Sequence, residues 1–223
     1  MTVSQFVDNV VLLSEGKQAS FASGATKWLR IVAQGNFFLQ QLARERGVNW
    51  NRYYSPVLSF GTVTATATFA IPSTVRKISQ EEGDTLRITH TDGRYTDYTF
   101  VPHDRLKDFD TGNYVAKIGA NIKFNTAFTA TSPQFGGTIA CPVYLFPTTF
   151  SLDADVLDID DPNYLVYAVA SDRVKNDVTR KDLRADLLAQ ANDALMAMKD
   201  DNQAQLEEVN RPWNPTIHTG EDW

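Results

Sequence analysis

The sequence predicts an α+β protein in which N- and C-terminal segments form one helical bundle and an antiparallel β-domain, a small barrel or a sandwich, is inserted between them. Three observations carry this. Apolar residues recur at helical spacing over residues 23–46. From about residue 53 the chain turns to β-branched residues and turn signals. Helical spacing returns after the capping run Asp160-Asp161-Pro162. The predicted parts are a helical part at 1–52, the β-domain at 53–150, a second helical part at 151–201 and an extended tail at 202–223.

Taken in order, residues 5–13 are a short apolar-rich piece, a helix or an extended docking arm, and Ser14-Glu15-Gly16-Lys17 is a break. In the helix at 23–46, Trp28, Ile31, Val32, Phe38, Leu39 and Leu42 share a face. Gly35 lies on that face and allows a neighbouring element to come close. Ser23 is the predicted N-cap, Arg44 and Arg46 complement the C-terminal end, and Gly47 is the stop.

In the β-domain, residues 62–69 alternate and residues 71–75 follow. Residues 86–91 and 94–100 flank Asp92-Gly93, which predicts a hairpin through a type I′ turn. Residues 114–118 and 121–128 are strands on either side of Gly119. Residues 139–146 close the domain, and Pro142 within them predicts an edge strand or a bulge.

After it, Asp160 or Asp161 caps a helix whose first turn takes Pro162, with Leu165, Val166, Val169 and Val174 on one face. A last helix over about 180–200 carries the stripe Leu183, Leu187, Leu188, Ala191, Leu195 and Met198. The short link at 176–179 makes the two helices an antiparallel pair. Beyond Asn202 the chain is polar, and Pro212 and Pro215 argue against helix. Trp213 and Trp223 there mark a peptide that orders on a neighbour, or else Trp213 packs back on its own subunit.

At 223 residues, 43% hydrophobic and 22% charged, the chain is long enough for one large or two small globular domains. No apolar run nears the ~18 residues that cross a bilayer. The first residues show no signal-peptide pattern. The single Cys141 excludes an intrachain disulfide and fits a reducing cytosol. The net charge of −6 is uneven: residues 151–223 hold 7 Lys+Arg and 16 Asp+Glu, a balance of −9, and the rest holds +3. An acidic third repels nucleic-acid phosphate. It disfavours DNA readout and suits either a plain solvated face or a wall past which DNA slides.

Little points to chemistry. His90, His103 and His218 are scattered, and there is no serine elbow, phosphate loop or dinucleotide fingerprint. Cys141, before a proline in an apolar run, reads as a buried structural thiol. Asp153, Asp155, Asp158, Asp160 and Asp161 open like a calcium loop, but Leu157 takes the next ligand position and no glutamate closes it. They read as wet, helix-capping carboxylates, so neither metal nor other cofactor is expected. Arg44, Arg46, Arg52 and Tyr53 come nearest to a nucleic-acid cluster. Tyr95, Tyr98, Phe100 and Tyr114 leave a second reading open, a carbohydrate- or receptor-binding β-domain, although strand aromatics also serve as core. A third reading, an enzyme using scattered carboxylates, needs no local motif.

Three stretches resemble the head-to-tail adaptors of tailed phages, in layout the tail tubular protein A-like adaptors of short-tailed phages. They are Leu145-Phe146-Pro147-Thr148-Thr149-Phe150 with the acidic run and Asp161-Pro162-Asn163-Tyr164-Leu165-Val166-Tyr167; the closing helix from Leu187 to Asp200; and Trp28-Leu29-Arg30-Ile31-Val32 followed by Asn49-Trp50. The resemblance covers residues 23–200. It implies a virion protein made in the host cytoplasm, without enzymatic activity or membrane association. It further implies a ring of about twelve subunits between the portal protein and the downstream nozzle protein, with double-stranded DNA passing through. It assigns Trp213, Ile217 and Trp223 to portal docking, and Arg173, Lys175, Arg180 and Arg184 to subunit or lumen contacts.

Overall fold

A computed structural model describes residues 1–45, 48–79 and 84–210, with side chains described to residue 205. Arg46 and Gly47, expected at the end of the second helix, lie outside the described residues. So do Trp213, Ile217 and Trp223. The chain is α+β and divides into two compact units. One joins residues 1–38 to residues 150–223; the other is residues 39–149.

The first unit is helical. α1 (Val3–Glu15) is a helix rather than an extended arm, because Thr2 and Gln5 close a capping box and Gly16 ends it. Its Val3, Phe6, Val7, Val10 and Val11 are buried. Thr2 also forms a β-bridge with Val156, and the Val3 N–H donates to the Asp155 carbonyl at 2.9 Å.

α2 (Thr26–Ala43) begins three residues after the expected cap, since Ser23 and Gly24 form a turn ahead of it. Trp28, Ile31, Val32, Leu39 and Leu42 are buried, while Phe38 is half-buried. A Cβ built on Gly35 would lie 2.8 Å from Cζ of both Phe6 and Phe150, so the expected close approach is real. Asn36 ties that loop down: its Nδ2 donates to the Phe150 carbonyl and its Oδ1 accepts from the Phe150 N–H. The Trp50 indole N–H donates to the Leu42 carbonyl at 2.9 Å, satisfying a carbonyl of the last turn of α2.

α3 (Pro162–Val174) is capped by Asp161, which accepts from the Asn163 N–H, and buries Leu165, Val166, Val169 and Val174 as expected. α4 (Lys181–Asn210) corrects the sequence reading at its far end. The extended tail was expected from residue 202, but the helix runs to Asn210. Residues 202–210 contain neither proline nor glycine and are rich in helix-favouring Gln, Glu and Ala. Among its described side chains the buried ones are Leu187, Ala191, Met198 and Asn202. Leu188, expected in that stripe, is 41% exposed, and Leu195 is half-buried.

The second unit is one eight-stranded sheet curled around a single core. The strands are β1 (Tyr54–Thr62), β2 (Thr68–Ala70), β3 (Val75–Ile78), β4 (Leu86–Thr89), β5 (Tyr95–Phe100), β6 (Tyr114–Ile118), β7 (Asn121–Phe124) and β8 (Thr138–Leu145). Their order is β1-β8-β4-β5-β6-β7-β2, with β3 also on β8. The sheet is mixed, not wholly antiparallel: β5 and β6 run parallel, joined by the thirteen residues 101–113, long enough for the crossover that parallel pairing requires. The strand expected at 62–69 breaks at residues 63–67.

Two turn readings are refined. Gly93 has φ +85°, but among the described residues no non-glycine residue, Asp92 included, has positive φ, so Asp92 cannot occupy a type I′ turn. The Gly93 N–H reaches the His90 carbonyl, and His90 pairs with Arg94, making a three-residue loop closed by Gly93. Pro142 lies on a central strand, not an edge. There β8 changes partner from β4 to β3, and β1 shifts register between Ser55 and Leu58, so the missing N–H coincides with an irregularity. Leu86, Ile88, Val115, Ile122, Ile139 and Val143 fill the core with an aromatic cluster of Phe69, Tyr98, Phe124 and Phe128.

Candidate functional site

Five basic residues, Arg173, Lys175, Arg180, Lys181 and Arg184, fall within twelve positions around the α3–α4 turn, and the fold divides them in two. Arg173 sits in the last turn of α3, 17% exposed. Its Nη2 donates to Glu15 Oε1 at 2.9 Å and its Nε to Ser14 Oγ at 3.4 Å. Arg180, in the short 3-10 turn Val178–Arg180, donates through Nη1 to the Ser14 carbonyl and pairs with Asp177. Both guanidinium groups therefore serve the C-terminal end of α1, where free carbonyls and negative helix polarity favour cations. They are fastenings within one subunit.

Glu15 is the hinge of this cluster. Lys27 Nζ reaches its Oε2 at 2.7 Å, and Arg173 holds the other oxygen. Burial pushes the Glu15 carboxyl up, but hydrogen bonds and charge from Lys27 and Arg173 outweigh it and hold the group below its ordinary value. Gln34 on α2 adds a neighbouring tie, donating to Asp172 Oδ2 at 2.9 Å.

Lys175 and Arg184 face differently. Both line an open hollow of about 440 Å³ at the α3–α4 turn, together with Val178, Lys181, Ala185 and Leu188. Val178 is 71% exposed and Leu188 41%. Lys175 is paired with Asp172 at 2.7 Å. Lys181 and Arg184 have no ion-pair partner among the described residues. Asp177 also lines the hollow, but its carboxylate accepts from the Thr179 N–H and hydroxyl and pairs with Arg180. Those contacts hold its pKa below the usual range. Arg184 and Leu188 are shared with a second hollow of about 200 Å³ that continues along α4 past Tyr164, Ala168 and Leu195 to Phe38.

Of the residues lining this hollow, Lys175 and Arg184 are expected as contacts from the sequence, Leu188 is expected as core, and Val178 and Lys181 are not singled out. The signal was present. Lys181, Arg184 and Leu188 are spaced by three and four, one face of a helix, directly after an apolar residue in an otherwise polar link.

The other candidates resolve into structure. Cys141 is buried, and burial pushes its thiol up to about 12, away from the thiolate a nucleophile needs. Asp155 accepts from the Ser151 and Leu152 N–H groups, which hold its carboxyl below the usual range. Among the described residues, no three His, Cys, Asp or Glu side chains are grouped as metal ligands. Tyr98 is core, and Tyr114 stacks on Phe109 at 4.1 Å. Tyr95 is 61% exposed, with the Arg87 guanidinium 4.1 Å over its ring and bridged to Asp97. Of the residues nearest to a nucleic-acid cluster, Arg44 lies over the Phe146 ring and Tyr53 is buried. No helix among the described residues is long and apolar enough to cross a membrane. No known protein-family model and no curated protein matches the chain.

Proposed function

We propose that this chain is a structural protein of a phage particle: a head-to-tail adaptor that forms a ring of about twelve copies between the portal protein and the downstream nozzle protein. Double-stranded DNA passes through this ring without its sequence being read. The observation that carries the reading is the mismatch between the length of α4 and its burial. The helix has 30 residues, yet among its described side chains only Leu187, Ala191, Met198 and Asn202 are buried. One stripe of the helix packs on its own subunit through Asn202, and the rest of its described surface is open to other chains.

Two further features agree. The acidic balance of residues 151–223 suits a channel wall, because like charge keeps phosphate from sticking. Of the anchors expected for a portal-docking peptide, Trp213, Ile217 and Trp223, the first two stand nearest α4 and are the ones that order on the portal. The protein would reside in the neck of the virion and perform no catalysis.

The test is copy number in purified particles from the source of the gene, by quantitative mass spectrometry against the major capsid protein. About twelve copies per particle is the expected result. Absence from the particle removes the adaptor reading.

A further inference from the structure

The hollow at the α3–α4 turn has a chemistry of its own. Its lining combines apolar Val178, Ala185 and Leu188 with cationic Lys175, Lys181 and Arg184. Among the described residues Asp177 is the one acid lining it, and it is engaged with Thr179 and Arg180. The first turn of α4 adds helix polarity that favours a carboxylate. Its volume, about 440 Å³, is in the range that holds a large side chain with its neighbours. The matching ligand is a bulky apolar group flanked by carboxylates.

The chain itself supplies that group. Glu221-Asp222-Trp223 sets two carboxylates beside an indole, thirteen residues or fewer beyond α4. We infer that the hollow at the α3–α4 turn receives the Glu221-Asp222-Trp223 segment of a second copy of this chain. The indole covers Val178 and Leu188, and the two carboxylates meet Lys181 and Arg184.

Reach decides between a second copy and the same chain. At 1.5 Å per helical residue, α4 sets about 39 Å between Arg184 and Asn210. The eleven residues from there to Glu221 span at most about 36–40 Å when fully extended. Docking in the same subunit would need the link drawn straight back along the helix. A second copy needs no such extension. Nothing in this requires a portal or a twelve-membered ring, only that two copies meet, so it stands or falls separately from the adaptor reading.

The experiment is sedimentation of the full-length chain over a concentration series, with circular dichroism to confirm folding. The altered side chains in the hollow are exposed, so the fold should survive. Wild type should self-associate. Lys181→Glu with Arg184→Glu should weaken association about tenfold or more, since two attractive pairs become repulsive. Glu221→Lys with Asp222→Lys should do the same, and Trp223→Ala should lose the apolar part. An equimolar mixture of the two charge-reversed proteins should associate again, because the acidic hollow of one accepts the basic segment of the other. A wild type that stays monomeric at every concentration overturns the docking. So does association indifferent to both reversals, or a mixture that fails to recover it.

Discussion

The two units are of nearly equal length and differ in how completely each closes on itself. In the β unit the apolar side chains converge: Tyr98, Phe124 and Phe128 meet edge to face with ring centroids 4.8–6.4 Å apart, and the aliphatic residues of β4, β6, β7 and β8 fill the space around them. Among the described residues five large apolar side chains remain exposed there, and two of them, Tyr54 and Tyr95, keep a polar tip. The helical unit exposes eight among the described residues. Five of these, Leu152, Val156, Val178, Leu188 and Met196, belong to its C-terminal part. The difference teaches where partners belong. A β unit with a finished core gives little by binding; a helical unit with uncovered apolar positions on α4 gains by being covered.

The sharpest way to break this contrast is to compare large-to-small substitutions in the two places. Phe124→Ala removes the centre of the aromatic cluster and should cost about 3–5 kcal/mol in urea unfolding. Leu188→Ala should change stability by no more than about 0.5 kcal/mol. Similar losses at the two positions would mean that α4 is packed after all.

Next in size is Gly35→Ala. A helix normally gains from such a change, but here the methyl meets Phe6 and Phe150 at 2.8 Å. A net loss of about 1–3 kcal/mol is expected, from overpacking. Stabilisation would show that both rings give way.

The basic residues sharpen the contrast within the helical unit. Arg173→Ala should lower stability by about 1–2 kcal/mol, because Glu15 and Ser14 lose a partly buried charged donor. Arg184→Ala should leave stability unchanged within about 0.5 kcal/mol. The smallest effect is on acid stability. The Glu15 carboxyl is held below its ordinary value of 4.5, so its contribution is fully present above that pH and is lost as pH falls through the lowered folded value. A Glu15→Gln variant should therefore lose less stability than wild type on acidification through that window, measured as midpoint against pH.

Much of the helical unit was legible because its signals are local. Asp161-Pro162 marks the start of α3, and all four residues placed on its inner face are buried. Gly35 stood out as the one small residue in a large apolar face, and the rings that need its space are there. What escaped depends on distant partners. Parallel pairing of β5 with β6 follows from the path of residues 101–113, which has no periodicity to read. Leu187 and Leu188 are adjacent and equally apolar, so only the position of the other helices decides which one is buried. Arg173 and Arg180 resemble free surface cations until the end of α1 is placed beside them. The hollow was half visible, since its cations and its leucine repeat at helical spacing, but its openness was not.

Met196 and Met198 allow the most direct test of the claim that partners cover the free face of α4. They sit two residues apart on one helix, 56% and 4% exposed. The measurement is methionine oxidation of the free chain and of the chain in its assembled form, read residue by residue by mass spectrometry. Met196 should oxidise readily in the free chain and be protected on assembly, while Met198 stays protected throughout. Equal oxidation of Met196 in both states would contradict the account, because the exposed face of α4 would then remain uncovered where it is supposed to work.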